Sequence, residues 1–386
     1  MEGISMANME DYLDWRGDLS FLADPFNEID NLILSELVYT DFDGIVPQEG
    51  LRNTVSVQDV YEKFFALHTE EEIMAKASST KVAPFLLKRL VASRRFSTMR
   101  LAAYRNIIDE ANQSQFAAVT YLLEDNSYFV CFRGTDNTIV GWKEDFNMSF
   151  LVHTNGQLLA KEYLNELCSH TNKKIRVGGH SKGGNFAVYA SAFCHPRIQK
   201  KIECVYSNDG PGFREKVMES DGYKTILPKV VSIIPEDSIV GNLLLNELDH
   251  QVVKSNLTGA NQHDAMSWEV LGNHFVYAED TSKSSKNWDQ TLKLWLMDLP
   301  DTKREAFVDV LFKVLSSSGA KTTDELSNDP LKAISEMMKA TSELDPEDQK
   351  VFKEVLLKLA NSGREAVFGK WVSSNGITSS LTFGKR

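Results

Sequence analysis

The stretch IRVGGHSKGG, residues 175–184, decides how this chain is read. Ile175 and Val177 give the lead-in the character of a strand, and NFAVYASAF after the last glycine has the composition of a buried helix. Between them Gly179, His180, Ser181, Lys182 and Gly183 spell G-x-S-x-G. A serine at such a strand-to-helix elbow is forced into strained backbone, and glycines two before and two after it avoid side-chain clashes. Gly184 adds room for the helix to approach the sheet. The same residues also read as a plain glycine-rich bend, but the strand before and the helix after favour a nucleophilic serine. At position 182 the backbone N–H, not the side chain, serves an oxyanion hole. The lysine side chain is therefore expected to leave towards solvent or the pocket mouth, and Lys182→Leu to retain activity. A Ser181–Lys182 dyad is the rival reading, disfavoured because adjacent residues at a tight elbow rarely bring amine and hydroxyl together.

Outward from the elbow the chain divides into three patterns. Residues 1–98 show helical spacing: PFNEIDNLILSELVY places Phe26, Ile29, Leu32, Ile33 and Leu37 on one face, with Pro25 suited to a first turn. SVQDVYEKFFALH and APFLLKRLVASRRF read as further helices. From 99 to 283 the pattern is α/β. MRLAAYRNIIDE, QFAAVTYLLE and YFVCFRG are rich in β-branched and aromatic residues and read as antiparallel strands, the last two joined by turn chemistry. Strands then alternate with helices, which predicts a mostly parallel sheet covered on both faces. From 284 to 386 the pattern is helical again, in NWDQTLKLWLMDL, KREAFVDVLFKVLSS, DPLKAISEMMKATSEL and PEDQKVFKEVLLKLA, and no internal repeat or long linker is visible. These ends are expected to pack on the α/β core as extensions, or to form a partner-binding module.

A nucleophilic serine needs a base, and the base an orienting acid; folds with this elbow carry them in the order serine, acid, histidine. The strand after the elbow helix ends at YSNDGPGF and the next at SIIPEDSIVG. The acid expected after the second is Asp237, with Glu236 and Asp209 in reserve; Asp209 also reads as half of an Asp-Gly turn with Gly210. Among downstream histidines, His250 opens the strand HQVVKSN and His274 sits in the apolar LGNHFVY, which suggests a structural role. His263, in the polar loop TGANQHDAMSWEV where Asp264 can cap the next helix, is the expected base. Upstream, FRGT follows an apolar strand and can aim the Thr135 N–H at a developing oxyanion, with Arg133 and Asp145 expected to pair and hold the turn. Ile139, Val140, Trp142, Phe146 and Phe150 then form either a lid wall or ordinary core.

Composition bounds the rest. The 386 residues are 42% hydrophobic with a formal charge of −12, which is globular and gives no long-range attraction for nucleic acid or anionic lipid. The opening residues show no basic-then-apolar leader, and no stretch approaches the roughly 20 apolar residues of a span. Cys131, Cys168, Cys194 and Cys204 lack CxxC spacing and read as buried thiols in a reducing, cytoplasmic compartment. The histidines form no HExxH pair, so neither metal nor cofactor is expected.

FRGT, GWKEDF, GGHSKGG, DGPGF and PEDSIVG together resemble the fungal-type class 3 lipases of the α/β-hydrolase superfamily. That resemblance implies Ser181 as nucleophile, Asp237 as acid, His263 as base, and backbone donors at Thr135 and Lys182. DYLDWRGDLSF, PFNEIDNLILSELVY, the elbow, QHDAMSW and the helical tail also resemble a bacterial lipase-like family of unknown function. The expected activity is hydrolysis of a carboxylic ester, acyl or lipid-like, through an acyl-enzyme. A thioesterase, acyltransferase or peptidase using the same triad, or an inactive scaffold that binds a partner through its helical ends, are the alternatives. The residues leave the oligomeric state open.

Overall fold

A computed structural model describes residues 6–283 apart from 77, 137 and 170, together with 285, 286, 300–316 and a few positions between 339 and 350. Its centre is one eight-stranded sheet whose spatial order is the order of the chain, β1 to β8. The strands are β1 (Val55–Ser56), β2 (Arg100–Asp109), β3 (Ser114–Leu122), β4 (Tyr128–Phe132), β5 (Ile175–His180), β6 (Ile202–Asn208), β7 (Val230–Pro235) and β8 (His250–Val253). β1 to β4 pair antiparallel, and β4 to β8 pair parallel. The switch falls where the sequence changes from hairpin turns to long helical connections, since only a crossover lets the chain return parallel.

Helices α1 (Met9–Arg16), α2 (Glu28–Leu37), α3 (Val57–Leu67), α4 (Glu70–Ala75) and α5 (Leu86–Ala92) precede or flank the antiparallel strands. α6 (Ile139–Asn147) and α7 (Asn155–Cys168) cross from β4 to β5; α8 (Lys182–Phe193) and α9 (Pro196–Gln199) lead to β6; α10 (Glu215–Met218) and α11 (Asp221–Ile226) lead to β7. All five residues of β4 are buried, and they alternate between two cores. Phe129 and Cys131 join Leu32, Ile33 and Leu37 of α2 and other N-terminal residues. Val130 and Phe132 join Tyr163, Leu164, Phe186 and Val188 of α7 and α8. The period of two in a strand thus places the N-terminal helices on one face and the crossover helices on the other. This is the expected α/β-hydrolase fold.

α2 starts later than Pro25 suggests. Asn27 caps it, accepting from the Ile29 and Asp30 amides, while the Asp30 carboxylate accepts the Asn27 amide. This reciprocal box satisfies the orphan amides of the first turn. Asp30 is also bound bidentately by Arg95, at 2.7 and 2.6 Å, with both side chains fully buried. That pair ties α2 to the segment entering β2. In the C-terminal region the helix Asp301–Ser316 corresponds to KREAFVDVLFKVLSS and packs on α6, with Phe312 edge-on to Phe146 and Asp309 paired with Lys143. The helices expected at 287–299, 329–344 and 346–360 lie outside the described residues, some positions of 339–350 apart. Cys131, Cys168 and Cys194 are buried and Cys204 half-buried, all as thiols. Among the described residues, no helix is long and apolar enough to cross a membrane.

Candidate active site

Ser181 sits between β5 and α8 at φ 58° and ψ −133°, a region costly for any residue but glycine. Its amide donates to the Asn208 carbonyl at 2.9 Å, and its own carbonyl accepts the Gly184 amide at 2.9 Å. The flanking glycines are required by distance. A Cβ at Gly183 would stand 2.1 Å from the Phe132 carbonyl oxygen, and one at Gly179 would stand 2.5 Å from that same oxygen and from the Gly183 carbonyl. The end of β4 therefore runs hard against the elbow. Gly134 continues that approach, its absent Cβ falling 3.0 Å from the Ser181 Cβ and 2.6 Å from the His180 carbonyl oxygen. Thr135 follows at once, and its hydroxyl donates to Asp145 Oδ2 on α6 at 2.5 Å.

The candidate histidine and its carboxylate partner come from segments that follow later strands. His263 closes a short 3-10 turn, Gly259–His263, and its Nδ1 lies 2.6 Å from Asp209 Oδ2. With Nδ1 so engaged, Nε2 is the nitrogen left for proton transfer; the ring is 32% exposed, while Asp209 is fully buried. Asp209 follows β6 at φ 47° and takes further hydrogen bonds on Oδ1 from Ser238 Oγ (2.5 Å) and the Gly241 amide (3.0 Å). Burial pushes the Asp209 carboxyl up, but the His263 hydrogen bond and charge, together with Ser238, outweigh it and hold it below the usual carboxylate range.

Asp237, the expected acid, is placed elsewhere. Its carboxylate accepts the Gly259 amide at 2.9 Å and the Ser282 hydroxyl, and its amide donates to Gln262 Oε1 at 2.7 Å. It frames the loop that carries His263 instead of touching the imidazole. The reason lies in register: Asn208 pairs with His180, so the residue after β6 emerges beside the elbow, whereas β7 is one strand further across. Glu236 follows β7 directly and donates its amide to the Val253 carbonyl. Asp209 does bend the chain as the Asp-Gly reading suggests, and the same bend turns its carboxylate inward. His250 Nδ1 lies 2.8 Å from Ser232 Oγ on β7. His274 is exposed and stacks on Tyr277, so the apolar surroundings inferred for it are not observed.

Two further expectations are corrected. Arg133 pairs with Asp136 at 3.3 Å and donates to Asn106, not to Asp145. The Lys182 side chain does not leave for solvent; it is 1% exposed, with Nζ 3.3 Å from Glu144 Oε2, 3.6 Å from Asp145 Oδ1, 3.3 Å from Gln115 Oε1 and 3.4 Å from the Gly141 carbonyl. Glu144 also accepts the Gln115 and Gly156 amides, which explains its complete burial. α6 is therefore fastened from beneath by the residue that follows Ser181. Of the apolar residues in this segment, Ile139 is buried and Trp142 exposed.

His180 and its surroundings were not expected to matter. The ring is buried against His263, 4.6 Å between centroids, and its Nε2 lies 2.9 Å from the His263 carbonyl oxygen. On its other side stand Tyr39 Oη at 3.2 Å and Glu36 Oε1 at 3.3 Å. α2 also reaches the elbow through Asn31 and Ser35, which hydrogen-bond the Asn208 side chain, itself a donor to the Gly179 carbonyl. The one sequence signal for this was the polar Asn31, Ser35 and Glu36 interrupting the apolar face of α2.

Residues 90–313 match the protein family described as Mbeg1-like. Among curated proteins, none matches. Among solved structures the chain is similar to a lipase propeptide complex from Rhizomucor miehei at 15% identity and a TM-score of 0.32, covering 44% of this chain and 64% of that one, under two thirds of it. It is similar to the M37 lipase at 13% identity and a TM-score of 0.35, covering 57% and 71% of the two chains. The Lip2 lipase from Yarrowia lipolytica matches at 14% identity and a TM-score of 0.29, over 45% and 71%.

Proposed function

Since the chain belongs to the Mbeg1-like family and has an α/β-hydrolase fold with a strained serine elbow, we propose that it is a serine hydrolase cleaving a carboxylic ester, acyl or lipid-like, through an acyl-enzyme on Ser181. The observation that carries this reading is the 2.6 Å contact of His263 Nδ1 with Asp209, beside a serine held at φ 58°.

The steps follow from these groups. Ser181 Oγ attacks the carbonyl carbon as His263 Nε2 takes its proton, and Asp209 stabilises the resulting imidazolium without taking the proton itself. The carbonyl oxygen becomes an oxyanion, which in this reading the Thr135 and Lys182 amides bind; the loss of one such donor costs about 3 to 4 kcal/mol. Collapse expels the alcohol, protonated by His263, and leaves the acyl group on Ser181. Water, deprotonated by the same imidazole, then releases the acid and restores the serine.

Labelling with a fluorophosphonate tests this directly. Parent protein is expected to label at Ser181, while Ser181→Ala abolishes labelling and His263→Ala and Asp209→Asn lower its rate by about 10³-fold or more. Asp237→Asn is expected to stay within about tenfold of the parent, because its carboxylate braces the loop and does not meet the imidazole. An Asp237→Asn rate as low as that of Asp209→Asn would return the acid to the position expected from the sequence. Absence of label in folded parent protein would favour a scaffold.

A further inference from the structure

The groups around His180 impose a definite arrangement of protons. Nε2 faces the His263 carbonyl oxygen, which can only accept, so Nε2 must carry hydrogen. The ring is neutral, because burial, with His263 adding to it, lowers its pKa to about 3. Nδ1 is then a bare lone pair. Two oxygens face that lone pair, Tyr39 Oη and Glu36 Oε1. An ionised carboxylate at 3.3 Å from a lone pair would repel it, whereas a protonated carboxyl donates to it. Glu36 is 2% exposed, and as a carboxylate its Oε1 accepts no hydrogen bond. Burial, with Asp264 adding to it, pushes its carboxyl up to about 8. The other titratable groups facing this cluster are Tyr39 and Cys131, both raised by burial, with Arg133 and Asp145 acting on Tyr39 and Asp209 and His263 acting on His180. Arg133 acts on Tyr39, while burial and Asp264 decide for Glu36.

We propose that Glu36, carried to the elbow by the N-terminal helix α2, is a positioning residue: its protonated carboxyl, beside the Tyr39 hydroxyl, keeps Nδ1 of His180 free of a proton and so maintains the Nε2–H donor that holds the main chain of the base His263. Ionisation of Glu36 withdraws that support and gives the site an alkaline limit. The activity side of this inference rests on Ser181 acting as nucleophile with His263 as base; the tautomer does not. Glu36 lies outside the 90–313 stretch that matches the family, so the N-terminal segment completes the site as well as covering the sheet.

The test combines labelling rates with histidine-selective ¹⁵N NMR on full-length protein. Parent labelling is expected to fall about tenfold between pH 7 and pH 9 as Glu36 ionises, one pH unit either side of its midpoint. Glu36→Leu lowers the rate across the whole range. Glu36→Gln, whose amide still donates to Nδ1, restores it to within about threefold of the parent at pH 7 and flattens the alkaline limb. The His180 nitrogens report Nε2–H in the parent at pH 7 and in Glu36→Gln at both pH values. An alkaline limb unchanged in Glu36→Gln, or a His180 tautomer indifferent to Glu36→Leu, overturns the proposal and leaves Tyr39 as the group that sets Nδ1. Should no variant or parent label at all, the hydrolase reading fails, and the NMR result still decides the proton arrangement.

Discussion

Replacing Lys182 by leucine removes the only cation within 4 Å of Glu144 and Asp145 among the described residues. At separations of 3.3 and 3.6 Å, each attraction is about 5 kcal/mol at an effective dielectric of 20. Desolvation of the ammonium and the carboxylates cancels much of that in the intact protein, and leucine recovers some apolar burial. What remains is the cost of two neighbouring carboxylates left unpaired, about 3 kcal/mol at the lower end for a broken buried ion pair. At about 2 °C per kcal/mol for a domain of this size, Lys182→Leu is expected to melt about 6 °C below the parent. The deficit shrinks as pH falls, because the orphaned carboxylates take up protons more readily in the folded chain than in the unfolded one. Adding Glu144→Gln and Asp145→Asn should recover more than half of it. Since Asp145 also anchors the Thr135 hydroxyl, the surviving folded protein should label roughly tenfold more slowly at Ser181. Urea or thermal unfolding at pH 5 and pH 8 measures the first effect, and fluorophosphonate kinetics the second. Stability of Lys182→Leu within about 0.5 kcal/mol of the parent at pH 8, the ordinary range for a surface change, would refute the buried ion cluster.

Other outcomes follow from the same packing. Because Glu36 titrates near 8 in the folded chain and near 4.5 unfolded, its protonated form stabilises the protein fully below pH 4.5, and this is lost as pH rises to 8, at up to about 1.4 kcal/mol per unit. Urea unfolding of Glu36→Gln should therefore show a shallower decline from pH 5 to pH 8 than the parent; parallel profiles would count against a buried, protonated Glu36. Gly183→Ala sets a Cβ against the Phe132 carbonyl and should cost about 3 kcal/mol or leave insoluble protein, in contrast to Gly44→Ala, where only the positive φ is strained; comparison of soluble yield and melting temperature decides. Arg95→Met strands the buried Asp30 and should destabilise by about 3 to 5 kcal/mol, with limited proteolysis attacking α1 and α2 first.

Much of the architecture was open to inspection in the chain because its signals are local. β-branched runs, turn residues and helical spacing specified the antiparallel-to-parallel change and the elbow between β5 and α8. His263 stood out as a histidine in a polar loop past the last central strands, and its ring meets the buried Asp209 carboxylate. Asp209 was held in reserve behind Asp237 because Asp-Gly is turn chemistry, and because choosing between two strand ends requires knowing which strand lies against the elbow. That is a matter of register, visible only when Asn208 is seen opposite His180. Lys182 was misjudged for a similar reason: a lysine on the first turn of a helix is ordinarily solvated, and only α6 folding over it supplies Glu144 and Asp145. Glu36 shows locally only as a polar break in the apolar face of α2, and nothing near it in the chain points to His180, which lies far along the sequence on the opposite side of a packing interface.

The sequential order of the sheet has a consequence for how the protein is made. Each strand finds its neighbour already in place as the chain lengthens, so the sheet can grow from β1 to β8 without waiting for a later strand to be inserted. The helix α2 is the exception: its Asn31 meets Asn208 across 177 residues, and so it emerges long before its partners exist. Until β5 and β6 arrive, the apolar face of α2 and the acid Glu36 have no lasting home on that surface. A segment made long before its partners is thus among the last to reach its final place, and the Ser181 elbow is completed only when the two ends of that interval meet.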